Sequence, residues 1–167
     1  MKAIRPLLIA LTLAAASLAV PSLCADDDFK PSPAPTWTLT DVEGKAVSSD
    51  QLKGKVIVLD FWATWCGPCR SEIPSYIELQ RQYGPAGLAI VGVSLDRGGP
   101  AVVKKFIAEQ KINYQIVLGD DKVAEAYGGV EAIPTTFIID RSGTIRYRKV
   151  GAMEPEEFAA VLKPFLK

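Results

Sequence analysis

The chain has no histidine among its 167 residues and only three cysteines, Cys24, Cys66 and Cys69. A zinc site built from the usual nitrogen and sulfur ligands therefore lacks the donors it needs. Charge of neither sign predominates, with 19 basic and 19 acidic side chains. The electrostatic attraction expected of a nucleic-acid binder is missing, and no basic patch makes up for it. Internal repeats and low-complexity tracts are absent from the compact part of the chain. What is plentiful is apolar material: at 49% hydrophobic the chain can bury a core, and its length fits one domain with a short appendage.

The apolar run from Leu7 to Val20 is shorter than the roughly 20 residues a spanning helix normally needs. Lys2 and Arg5 precede it, and Pro21, Ser22, Leu23, Cys24 and Ala25 separate it from Asp26, Asp27 and Asp28. Charge, short apolar stretch and small residues in that order read as a secretory signal peptide over residues 1–25. The alternatives are a retained N-terminal anchor, or lipid attachment at Cys24, for which Leu23 stands where a small residue is wanted. Residues 26–36, DDDFKPSPAPT, read as an extended linker, and residues 37–167 as the domain. Export implies an oxidising compartment, where a lone close pair of cysteines tends to form a disulfide.

Punctuation and periodicity order the domain. A small hairpin is expected around Glu43 and Gly44, then a doubly covered strand over residues 56–59. A helix over 68–83 should present Ile73, Tyr76, Ile77 and Gln80 and kink at Pro74. Strands over 88–93 and 115–118 alternate with helices over 102–110 and 122–127. A hairpin of 136–139 with 145–150 turns through residues 140–143. The last helix, 154–165, carries Phe158, Val161, Leu162 and Phe165 on one face. The order points to an α/β sandwich with a mixed sheet.

Once Cys24 leaves with the leader, both remaining cysteines lie in WCGPC, residues 65–69. A structural crosslink, half of a metal site and a redox couple are the three readings. The metal reading wants ligands the chain does not have, and a crosslink closing so small a loop adds the least stability. The motif follows a buried strand and opens a helix, where unpaired N–H groups and the positive end of the dipole stabilise a thiolate. Cys66 is therefore the expected attacking thiol and Cys69, one turn further in, the thiol that resolves the mixed disulfide. Pro68 suits the first turn and stiffens the spacer. Asp60, an acid inside an apolar strand, should hold its proton to higher pH than usual if buried, and so act as a proton acceptor near neutrality.

DFWATWCGPC at 60–69, IPT at 133–135 and VGA at 150–152 together resemble thioredoxin. The extra segment between Ser94 and Lys122 and the hairpin before the first core strand resemble the exported TlpA/ResA-like branch. The resemblance covers residues 37–167 and implies a thioredoxin fold: a mixed central sheet flanked by helices, with an N-terminal hairpin and a central insertion. It implies a redox disulfide Cys66–Cys69 and a cis bond before Pro134, beside the pair. It further implies a client groove formed by Trp65, Gly67, Pro68, Ile133 and Pro134, with Trp62 packed beneath. Asp60 falls where thioredoxin keeps an acid that helps deprotonate the resolving thiol, although the branch resembles thioredoxin less at that position. Glu72 falls where the branch has an acid near the site; a solvated glutamate favoured by the helix dipole is the alternative.

The implied activity is thiol-disulfide oxidoreduction, mainly the reduction of disulfides in other exported proteins, with cytochrome c maturation as one setting. No metal and no cofactor are implied; the expected partners are exported disulfide proteins and a membrane electron donor. The expected state is a monomer, periplasmic or otherwise exported, with membrane anchoring through the N-terminus or Cys24 as the alternative. Two rivals belong to other classes. A thiol peroxidase of the peroxiredoxin group shares the core, but its reactive cysteine follows a Pro and Thr at a spacing this loop lacks. A non-enzymatic chaperone or carrier would tolerate loss of both thiols.

Overall fold

The computed structural model describes residues 29–166; the readings of a signal peptide and of Cys24 lie outside these. The elements are β1 (Ser32–Pro33), β2 (Thr38–Asp41), β3 (Ala46–Ser48), β4 (Val56–Trp62), α1 (Gly67–Tyr83), β5 (Leu88–Ser94), α2 (Pro100–Gln110), β6 (Gln115–Leu118), α3 (Asp121–Ala126), β7 (Thr135–Ile139), β8 (Thr144–Val150) and α4 (Pro155–Leu162). The strands make one sheet in the order β1-β8-β7-β4-β5-β6-β2-β3.

β4 lies at the centre because it can: VIVLDFW is buried at every position, as a strand covered on both faces must be. It runs parallel to β5, from Val56 opposite Leu88 to Trp62 opposite Ser94, and antiparallel to β7. Its alternate residues feed different cores. Ile57, Leu59 and Phe61 join Trp37, Val91, Tyr127 and Phe137 on one face. Val56 and Val58 pack with Tyr76 and Leu79 of α1 and Phe158 and Leu162 of α4 on the other. Farther along that second face, Trp62 meets Cys69, Ile73, Val103 and Phe106, and this places the start of α1 over the carboxyl end of β4. The segment between β5 and α3 supplies α2 and β6, which extend the sheet towards the β2–β3 hairpin.

Three expectations need correction. Of the segment read as a linker, 26–36, the described residues 29–36 join the domain: Ser32 and Pro33 pair with Ile145 and Thr144, and Tyr127 donates its hydroxyl to Pro35 O at 3.1 Å. The prolines that mark it as irregular do not prevent a short edge strand. The buried stripe of α1 is Cys69, Glu72, Ile73, Tyr76 and Leu79, rotated from the expected face; Gln80 instead accepts from Ile90 N at 2.8 Å. The last helix ends at Leu162, and residues 163–165 tighten into a 3-10 turn at Pro164. α1 itself continues through Pro74 as one helix.

The sheet ends in very short strands. β1 has two residues, one of them Pro33, and β3 has three.

Candidate functional site

Cys66 is the N-cap residue of α1, and a disulfide joins it to Cys69 across a Cα–Cα distance of 5.3 Å. The Cys69 N–H donates to Cys66 Sγ at 3.2 Å. That is the contact that, in the reduced state, favours charge on Cys66 over charge on Cys69. The two sulfurs are unequal but both are largely covered, Cys66 at 5% and Cys69 at 1% exposure. The exposed part of the motif is its neighbours: Gly67 and Pro68 are open, and Trp65 is 69% exposed.

The loop before β7 closes the other side. The Ile133–Pro134 peptide is cis, and Ile133 O lies 3.7 Å from Cys66 Sγ. Gly151 N donates to Pro134 O at 2.8 Å, so the turn after β8 steadies this loop. Beside it opens a groove of about 480 Å³ bordered by Trp65, Leu95, Arg97 and residues 130–133. Trp65 and Ile133 thus meet at one groove. Trp62 lies beneath the loop, 2% exposed and 5.5 Å from the Phe106 ring.

Asp60 and Glu72 are both buried. The Thr136 hydroxyl donates to Asp60 Oδ1 at 3.2 Å, and Tyr76 Oη lies 3.2 Å from the same Thr136 oxygen. Burial holds the Asp60 pKa well above the usual carboxylate range; the nearby Glu72 charge raises it further, and Thr136 opposes. Glu72 is not the solvated glutamate that a helix dipole alone would explain. Its Oε1 accepts from Met153 N at 2.9 Å, and its Oε2 has no hydrogen-bond partner among the described residues. Burial pushes its pKa from 4.5 up to about 7, against the pull of the Met153 N–H. The two acids sit on facing elements, Asp60 on β4 and Glu72 one turn beyond Cys69.

Thr136 and the Met153 amide were not singled out in the sequence, and Tyr76 was named only as a face residue of its helix, with no role at the site. Tyr76 falls on the same helical stripe as Cys69 and Glu72, which is a usable signal; Thr136 is found only through the β4–β7 register, where it stands opposite Asp60.

Glu72 has a testable effect on stability. Its folded pKa lies above its unfolded one, so between pH 4.5 and about 7 the folded state holds a proton that the unfolded state has lost. Stability contributed by this group is full below that window and falls as pH rises through it. Glu72→Gln, which keeps the acceptor for Met153, should therefore flatten this part of the pH–stability curve. At pH 8 it should raise stability by about 1 to 3 kcal/mol, after allowance for solvent screening. Urea denaturation at several pH values measures this; an unchanged curve would refute the buried, protonatable state.

A cysteine pair at a helix start, facing a cis-proline loop on a mixed sheet, places the chain among the thiol-disulfide oxidoreductases with a thioredoxin fold. The chain belongs to the AhpC/TSA family, whose model matches residues 31–148. It is 33% identical over 130 residues to thiol-disulfide oxidoreductase ResA of Bacillus anthracis, covering 78% of this chain and 75% of that protein. With ResA of Geobacillus thermodenitrificans the identity is 38% over 128 residues, covering 75% and 72%. The crystal structure of a thiol:disulfide interchange protein of the thioredoxin family from Chlorobium tepidum matches with a TM-score of 0.75 at 35% identity. That match covers 84% of this chain and 99% of the other. The activity is thus thiol-disulfide oxidoreduction at the Cys66–Cys69 pair, with redox partners. Among the described residues no helix is long and apolar enough to cross a membrane.

Proposed function

We propose that the protein works mainly as a reductase of disulfides in other exported proteins. Cys66 is the attacking thiol and Cys69 the resolving one. The observation that carries this reading is the placement of Cys66 Sγ at the mouth of α1, between the Cys69 N–H and the Ile133 carbonyl and beside an open groove.

In the reduced state the Cys66 thiolate attacks one sulfur of a client disulfide and expels the other as a thiolate. The Cys69 proton passes to a buried carboxylate, Asp60 or Glu72, and the Cys69 thiolate attacks Cys66 Sγ. The second client sulfur leaves as a thiolate and the protein disulfide forms; two electrons have moved to the client, whose two thiolates take up one proton from solvent and one that the carboxylic acid gives back. Trp65, Gly67, Pro68, Ile133 and Pro134 hold the client strand against the pair. A dithiol donor at the membrane restores the reduced state, and the protein does this as an exported monomer, released from or tethered by its N-terminal segment. An oxidised cysteine pair of an apocytochrome is one client that this chemistry serves.

The Gly67-Pro68 spacer, which resembles that of reducing thioredoxins, supports the reducing direction. Thioredoxin near −270 mV and a strong oxidant near −120 mV differ by about 7 kcal/mol for two electrons, so the two directions are easily told apart. Cys69→Ser, expressed in the native compartment, should accumulate mixed disulfides at Cys66 that mass spectrometry resolves into clients and a donor. Recovery of no adducts would sink the exchange mechanism, and a potential near that of the strong oxidant in glutathione buffers would sink the reducing direction.

A further inference from the structure

The groove is bordered by three loops, and one side chain ties two of them together. Leu95 and Arg97, which follow β5, form a first wall, Trp65, between β4 and α1, stands on a second, and residues 130–133 make up the third. Asp96 lies between the two residues of the first wall and grips Thr64, the neighbour of Trp65. Its Oδ2 accepts from Thr64 N at 2.9 Å, and its Oδ1 accepts from the Thr64 hydroxyl at 2.5 Å. A third donor, the Ser94 hydroxyl, reaches Oδ2 at 2.9 Å, while Asp96 N donates back to Ser94 Oγ at 3.2 Å. Ser94 is buried and continues the sheet: Gly119 N donates to Ser94 O at 2.8 Å, and Leu95 N to Trp62 O at 2.8 Å. The carboxylate is therefore anchored to the end of the sheet and holds Thr64 in a two-point clamp.

The clamped residue lies inside a turn, since Cys66 N donates to Ala63 O at 3.1 Å with Thr64 and Trp65 between them. Trp65 is the most exposed large apolar side chain of the described residues, and besides the turn's own backbone bond from Cys66 N to Ala63 O it is the Asp96 carboxylate that holds Thr64, the residue before it, by side-chain hydrogen bonds. Charge-assisted hydrogen bonds to a carboxylate are the stronger kind, and a chain held at both N–H and hydroxyl has little freedom to rotate.

We propose that Asp96 is a positioning residue for client recognition: through Thr64 it sets the spacing of Trp65 from the Leu95–Arg97 wall, and so the fit of a client chain beside its disulfide. This rests on the reading that the groove receives protein disulfides. It makes no contact with the sulfurs, so the chemistry of a disulfide too small to fill the groove does not depend on it.

The test compares insulin with hydroxyethyl disulfide as substrates for Asp96→Ala, Thr64→Val and Thr64→Ser, with hydrogen exchange at the Thr64 amide measured alongside. Asp96→Ala should speed that exchange and lower kcat/KM for insulin about tenfold, the scale of one lost charge-assisted bond, mostly through KM. Its rate with hydroxyethyl disulfide should stay within about twofold. Thr64→Val should show a smaller loss with insulin, and Thr64→Ser, which keeps the hydroxyl, should match the unaltered protein. Equal losses with both substrates, or an unchanged KM for insulin despite a freed Thr64 amide, would overturn the proposal for Asp96 alone. An unaltered protein that turns over hydroxyethyl disulfide but not insulin would overturn the client reading and the role of Asp96 with it.

Discussion

Cys66→Ala should reduce insulin-disulfide reduction to background, a loss of about 10⁴-fold or more, because the nucleophile that starts the exchange is gone. Cys69 does not replace it. It lies one turn inside α1 at 1% exposure, and it lacks the helix-cap position that gives Cys66 a backbone N–H donor. The folded state should change little, since the bond lost spans residues three apart and so small a loop constrains the unfolded chain least. Turbidity of reduced insulin measures the rate, and circular dichroism checks the fold. Full residual activity would refute the role given to Cys66. Retention of function in the native compartment by a protein carrying both Cys66→Ser and Cys69→Ser, which has no thiol of the pair left to exchange, would favour the carrier reading.

Asp60→Asn should separate function from stability in opposite directions. The side chain keeps an oxygen to accept from Thr136 but can no longer take a proton from Cys69. If Asp60 is the acceptor, release of the client from the mixed disulfide slows by about 10²-fold, the lower end of general-base contributions. Stability should move the other way. The Asp60 pKa is raised first by burial and then by Glu72, so ionisation costs the folded state, and the cost appears as pH rises above the unfolded value of 3.8. The amide carries no such cost and the variant should be more stable at pH 8. Rapid-mixing kinetics of mixed-disulfide decay and thermal unfolding at pH 8 give the two readouts. An unchanged decay rate would remove Asp60 from the mechanism. If Glu72→Gln alone slows decay, the proton goes there instead.

Much of the fold was legible because the sequence states it redundantly. The short apolar run from Val56, led in by Gly54 and rich in β-branched residues, reads as an interior strand, Pro68 and Pro155 sit in first helical turns, and the turn at residues 140–143 carries Gly143 at φ 83°. Asp60 was legible for the same reason: a lone acid in an apolar run is visible. Glu72 was harder. A glutamate in a helix is ordinarily solvated, and only its spacing from Cys69 and Tyr76 on one stripe shows that it turns inward. Thr136, the Met153 amide and Asp96 were not legible, because each acts across a register or between loops far apart in sequence, Thr64 and Asp96 being 32 residues apart. Hydrophobic pattern shows which face is buried; it does not show which polar atoms meet there. The pairing of Ser32 and Pro33 was missed because proline and polar composition speak for a free segment, and a two-residue bridge leaves no periodicity to read.

The short outer strands leave the sheet little margin on which another chain could add itself. An incomplete chain with bare backbone groups will extend any long, flat sheet margin it finds, and repeated capture of that kind ends in aggregates. Here one margin is two residues long and carries a proline that cannot donate, and the other is three residues long. Neither offers a run of backbone partners on which a second chain could build.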